Sequence, residues 1–61
     1  MNLKNIRKSL NISQLELSKK LGVDQSTISK WERGRCMPTV TMLFKLASIL
    51  ECKVDDIVSV R

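Results

Sequence analysis

The side chains able to do chemistry in this chain are few, and they are recognition groups rather than reacting ones. There is no histidine, hence no ordinary general base near neutral pH and no imidazole metal ligand. Cys36 sits in a polar loop and Cys52 in an apolar stretch; with no histidine to complete a metal site, Cys52 reads as a buried structural residue and Cys36 as incidental. No nucleophile stands with a base, and no glycine-rich loop cradles a phosphate. What remains is the run Gln25, Ser26, Thr27, Ser29 and Lys30, which offers amide, hydroxyl and ammonium groups from one short segment. Such groups exchange hydrogen bonds with a polar partner. Neither an enzyme nor a cofactor is expected.

Charge narrows the choice of partner. The net charge of +5 is carried by residues 1 to 38, which hold eight basic residues against three acidic ones, whereas residues 39 to 61 are balanced at three each. Positive charge gathered on the segment that bears the polar run is what contact with a polyanion requires. A chain of 61 residues reads as one domain that buries only about 60% of its unfolded surface, leaving no room for an effector-binding unit. The start Met1-Asn2-Leu3-Lys4 lacks the apolar core of a signal peptide and no run is long enough to span a membrane, so the expected compartment is the cytoplasm.

The elements that must position the polar run are written into the chain. A hydrophobic fraction of 43% with two glycines and one proline favours an all-α globule. Leu3, Ile6, Arg7 and Leu10 form the stripe of a first helix over about residues 2 to 10, with one arginine on it. Ser13 and Glu16 spell a capping box for a second helix over about 14 to 21, with Ile12 and Leu17 as its hydrophobic staple. Asp24 is placed to cap a third helix over about 25 to 33, and Val23 and Ile28 repeat the staple. Between the two, Gly22 supplies the left-handed residue that lets one helix end and the next begin almost at once. Gly34 closes the third helix. Thr39 opens a fourth, whose face Leu43, Leu46, Ala47 and Leu50 makes it the longest and the expected platform for the rest. A fifth, over about 54 to 59, has acidic Asp55 and Asp56 at its start but only Lys53 as cap.

Taken together, Arg7, Ser13-Gln14-x-x-Leu17-Ser18-x-x-Leu21-Gly22-Val23, Thr27-Ile28-Ser29-x-Trp31-Glu32-x-Gly34, Pro38, Leu43, Leu46-Ala47 and Leu50 resemble the phage-repressor helix-turn-helix family, the lambda repressor and Cro-like proteins. The resemblance runs from about Leu3 to Ile57. It implies a compact five-helix lambda-repressor-like domain that binds operator DNA, mostly as a dimer, and acts as a transcriptional regulator, most simply a repressor. Four positions depart from the pattern: Ser18 replaces a usual alanine, Leu15 a usual charge, Glu51 the usual glycine after the fourth helix, and Lys53 a serine-like cap. The Glu51 departure argues against a left-handed turn there.

Carried onto matching positions, the resemblance makes Gln25, Ser26 and Lys30, with Ser29 as a weaker member, the residues that read bases from the major groove. Their chemistry fits, since Gln can pair with adenine through two bonds, Lys can donate to guanine, and Ser is permissive. Gln14, Thr27, Arg33, Arg35 and Thr39 fall where family members grip phosphates. Arg7 and Glu32 look like a structural ion pair between the first and third helices, and Trp31 reads as core. Phe44, Val58 and Val60 are the apolar residues left for a homodimer interface, with Met42 and Leu15 as outliers; Val58 and Val60 could equally close the core. A protein-interaction module, such as the antitoxin of a toxin pair or a small repressor antagonist, is the competing class.

Overall fold

The computed structural model describes residues 1–59 and contains five helices: α1 Leu3–Ser9, α2 Gln14–Leu21, α3 Gln25–Glu32, α4 Val40–Ile49 and α5 Val54–Val58. Local sequence fixes most of the starts. The Ser13 hydroxyl accepts from the Glu16 amide at 3.0 Å while the Glu16 carboxylate accepts from the Ser13 amide at 3.3 Å, so the capping box is complete. The Thr39 hydroxyl accepts from Met42 N–H at 3.2 Å and starts α4.

One start differs from the sequence reading, and another, at α5, is made without a capping side chain. Asp24 has the extended backbone of a cap but its side chain makes no capping bond. The reason is local: its own carbonyl takes the Thr27 amide at 3.0 Å, removing the donor that the carboxylate would have used. At α5, lysine has no acceptor to offer, and the helix is held by the other half of the device, the Asp56 carboxylate accepting from Lys53 N–H at 3.1 Å.

The ends of α1 to α4 share one construction. Asn11, Gly22, Gly34 and Glu51 all lie in the left-handed region, with φ of 57°, 79°, 76° and 52°. One residue further on, each chain amide turns back to a carbonyl five residues earlier: Ile12 to Arg7, Val23 to Ser18, Arg35 to Lys30 and Cys52 to Ala47, at 2.9–3.1 Å. This is the Schellman closure, which satisfies carbonyls that a helix end leaves open. The left-handed turn at Glu51, doubtful from its side chain, is therefore present: two main-chain bonds hold it in spite of the Cβ.

The core is Leu3, Leu17, Leu21, Ile28, Trp31, Leu46, Leu50 and Ile57. Every helix contributes to it. The α2–α3 contact is the most extensive, α4 packs on α2 and α5, and α1 rests on α3 and α5. Thus α4 is the longest helix but not a platform common to all, because α1 closes the molecule from the other side. There Asn2 N–H donates to the Ile57 carbonyl at 2.7 Å and ties the first described turn to the last. No helix among the described residues is long and apolar enough to cross a membrane.

Candidate nucleic-acid interface

The eight residues of α3 divide into two faces. Ile28 and Trp31 are buried, at 0% and 5% exposure. Gln25, Ser26 and Lys30 are exposed, and Ser29 is half-buried. At 100° per residue, positions 25, 26, 29, 30 and 33 occupy about 140° of arc, and the two core residues lie on the far side. The helix is thus pinned by its apolar side and shows amide, hydroxyl and ammonium groups outward. Thr27 lies outside that arc and is half-buried on the flank.

Around this ridge stand other polar groups. Arg33 and Arg35 are exposed just past the end of α3, and Thr39 is exposed at the start of α4, its hydroxyl oxygen already engaged by Met42 N–H. Pro38 between them is buried and anchors the loop.

The orientation of α3 is set by a hydrogen-bonded cluster at its last turn. Arg7 reaches from α1 to Glu32, Nε donating to Oε2 at 2.7 Å and Nη2 to Oε1 at 3.1 Å, while Nη1 donates to the Ile12 carbonyl at 2.9 Å. The two side chains are only 9% and 4% exposed. Gln14, at the first position of α2, donates from Nε2 to Glu32 Oε1 at 3.0 Å. Sequence reasoning placed Gln14 only among phosphate-contacting positions and did not see this bond, because it depends on how α2 crosses α3. Burial alone would push the Glu32 carboxyl upward, but the hydrogen bonds from Arg7 and Gln14 and the Arg7 charge outweigh it and hold the group below its usual range. Arg7 is held above its usual range by the same hydrogen bond, against a smaller opposing effect of burial. Ser18, the other buried polar residue, donates to the Leu15 carbonyl at 2.7 Å. Among the described residues no buried side-chain nitrogen or oxygen lacks a partner.

A second surface is apolar. Val40 and Phe44, one turn apart on α4, are 68% and 65% exposed, and Met37 in the preceding loop is 61% exposed. Val58 is half-buried, Met42 packs against the core and Leu15 is 48% exposed. Val60 lies outside the described residues. Val40 and Met37 were not singled out from sequence. Helical spacing sets Val40 and Phe44 about 40° apart around α4, so the two share one exposed side of the helix.

Cys36 is exposed and Cys52 half-buried, and both are free thiols. No group of three or more histidine, cysteine or acidic residues among those described could hold a metal ion.

Comparison with known proteins bears on the family. The helix-turn-helix family model matches residues 3–57. A protein of Methanocaldococcus jannaschii named as an uncharacterised HTH-type transcriptional regulator is 40% identical over 55 residues, covering 90% of this chain and 83% of its own length. The cryptic phage CTXphi transcriptional repressor RstR of Vibrio cholerae is 33% identical over 90% of this chain and 49% of its own. Repressor protein C2 of Salmonella phage P22 is 41% identical over 80% of this chain, which matches only 23% of that longer repressor.

Proposed function

This chain belongs to the helix-turn-helix family, of the lambda-repressor-like kind, and is a DNA-binding transcriptional regulator; from that premise we propose that α3 enters the major groove and that two copies act together as a repressor in the cytoplasm. The observation that carries the reading is the two-faced α3, with Gln25, Ser26 and Lys30 exposed and Ile28 and Trp31 buried. Gln25 suits adenine, Lys30 suits guanine, and Ser26 and Ser29 accept either. Gln14, Thr27, Arg33, Arg35 and Thr39 grip the phosphates on either side and fix the register. Arg7 and Glu32 keep the helix at its angle.

Size supports pairing. The Cα extents are 23 × 23 × 20 Å, and side chains add about 3 Å on each side. Touching copies therefore sit about 30 Å apart, close to the roughly 34 Å between successive major-groove faces. Phe44, with Val40 one turn before it on α4, gives an apolar contact on the segment, residues 39 to 61, that carries no net charge. Half-buried Val58 on α5 is assigned to the same contact. The test is selection of preferred duplexes from a random pool, followed by salt titration of the winner against random DNA. A palindromic winner with half-sites about one helical turn apart is the expected result. Equal affinity for winner and random DNA at every salt concentration would end the sequence-reading proposal.

A further inference from the structure

The ion pair between α1 and α3 does more than brace the fold. Glu32 Oε1 accepts two hydrogen bonds, one from Arg7 Nη2 at 3.1 Å and one from Gln14 Nε2 at 3.0 Å. Arg7 is itself held at its third nitrogen by the Ile12 carbonyl, in the turn that leads into α2. The carboxylate therefore has its position fixed from α1 and in turn fixes a side chain of α2.

Gln14 uses one of its two amide hydrogens in this bond. Its second hydrogen and its carbonyl oxygen are left for a partner. The residue stands half-buried at the first position of α2, where the helix presents free backbone N–H groups. We propose that Glu32 is a positioning residue for DNA binding: by holding Gln14 it sets that amide, before DNA arrives, at the angle from which its free N–H meets a phosphate oxygen. This rests on the phosphate role given to Gln14 above. A free glutamine must stop several rotors on binding DNA, whereas a held one has already lost them. Immobilising one such side chain corresponds to roughly a three- to tenfold change in affinity. Because a phosphate carries no sequence, the gain applies to every duplex.

The experiment is a cycle of Gln14→Ala, Glu32→Gln and the double variant, with affinity for the selected duplex and for random DNA read by fluorescence anisotropy at 10 °C. Each value is corrected for the folded fraction from circular dichroism in the same buffer. Gln14→Ala should cost about three- to tenfold more on both duplexes in the native background than in the Glu32→Gln background. An equal cost in the two backgrounds overturns the proposal and leaves Glu32 purely architectural. A second readout uses the native protein: the Gln14 side-chain amide resonances should be resolved, slow to exchange, and shifted on adding DNA. Free exchange, or no shift with DNA, overturns it independently of any folding defect. Failure here with preference for the selected duplex intact would leave the base-reading proposal standing, while loss of that preference would mark failure of the wider reading.

Discussion

Replacing Glu51 by glycine should make this protein more stable. Glu51 has φ of 52°, a conformation in which an L residue with a Cβ is disfavoured by about 1–2 kcal/mol. Glycine removes that strain but gives the unfolded chain more freedom, which takes back about 0.4–1 kcal/mol. The backbone balance is thus a gain of about 0.5–1 kcal/mol. The carboxylate also sits just beyond the negative end of α4, an unfavourable place, and its removal adds a few tenths at low salt. The sum is about 1 kcal/mol, or a rise in Tm of about 4–8 °C for a domain of this size. Thermal denaturation followed by circular dichroism measures it. Glu51→Gln keeps the Cβ and removes only the charge, so it should raise Tm by about a quarter as much. If Glu51→Gln matched Glu51→Gly, or if the glycine variant melted lower, the strain assigned to this turn would be wrong. Asn11→Gly is the companion control. Asparagine tolerates the left-handed region, so that change should move Tm little.

Other expectations follow from the site. Because Glu32 titrates below its usual range when folded, its contribution is full above the ordinary carboxylate pKa of about 4.3 and fades as pH falls through the lower folded value. Acid unfolding should therefore steepen below about pH 4, and Glu32→Gln should flatten that limb. The same variant should cost about 3 kcal/mol by leaving Arg7 covered and unpaired, seen as a lower urea midpoint. Lys30→Ala or Gln25→Ala should cost about 1–3 kcal/mol on the selected duplex and little on random DNA, measured by anisotropy. Arg35→Ala should weaken both and reduce the salt slope by about one unit; identical behaviour of Lys30→Ala and Arg35→Ala on the two DNAs would refute the sorting of roles. Phe44→Asp should leave stability within about 0.5 kcal/mol yet convert paired binding of two half-sites, in a gel-shift titration, to independent binding.

Much of the architecture was legible because its signals are local. Ser13 and Glu16, Gly22, Gly34 and Thr39 act within a turn of themselves, and each marks a helix boundary in the structure. Position along α3 was legible for the same reason, since helical spacing alone separates Gln25, Ser26 and Lys30 from Ile28 and Trp31. What failed to show were features set by main chain or by distant elements. The turn at Glu51 is formed by Glu51 and Cys52 amides bonding to Ser48 and Ala47, and residue type has little say in that. The missing side-chain cap at Asp24 depends on a carbonyl that no pattern records. Gln14 meets Glu32 across 18 positions, a contact that no local pattern records. Membership of the family came from many spaced matches at once, which no single element would have supplied.

The four helix endings carry a consequence for handedness. At residues 11, 22, 34 and 51 the backbone occupies the region that is natural for the mirror-image form of an amino acid. An L side chain at Gly22 or Gly34 would meet nothing within 4 Å, so its cost there is backbone strain alone, which a D residue does not incur. A chain of 61 residues is accessible to chemical synthesis, so D-alanine can be set at these corners to restrict the unfolded ensemble while leaving the folded chain unstrained. At Gly22 and Gly34 the backbone already has the form that a D residue favours, so the handedness of these two corners can be reversed without asking the fold to change.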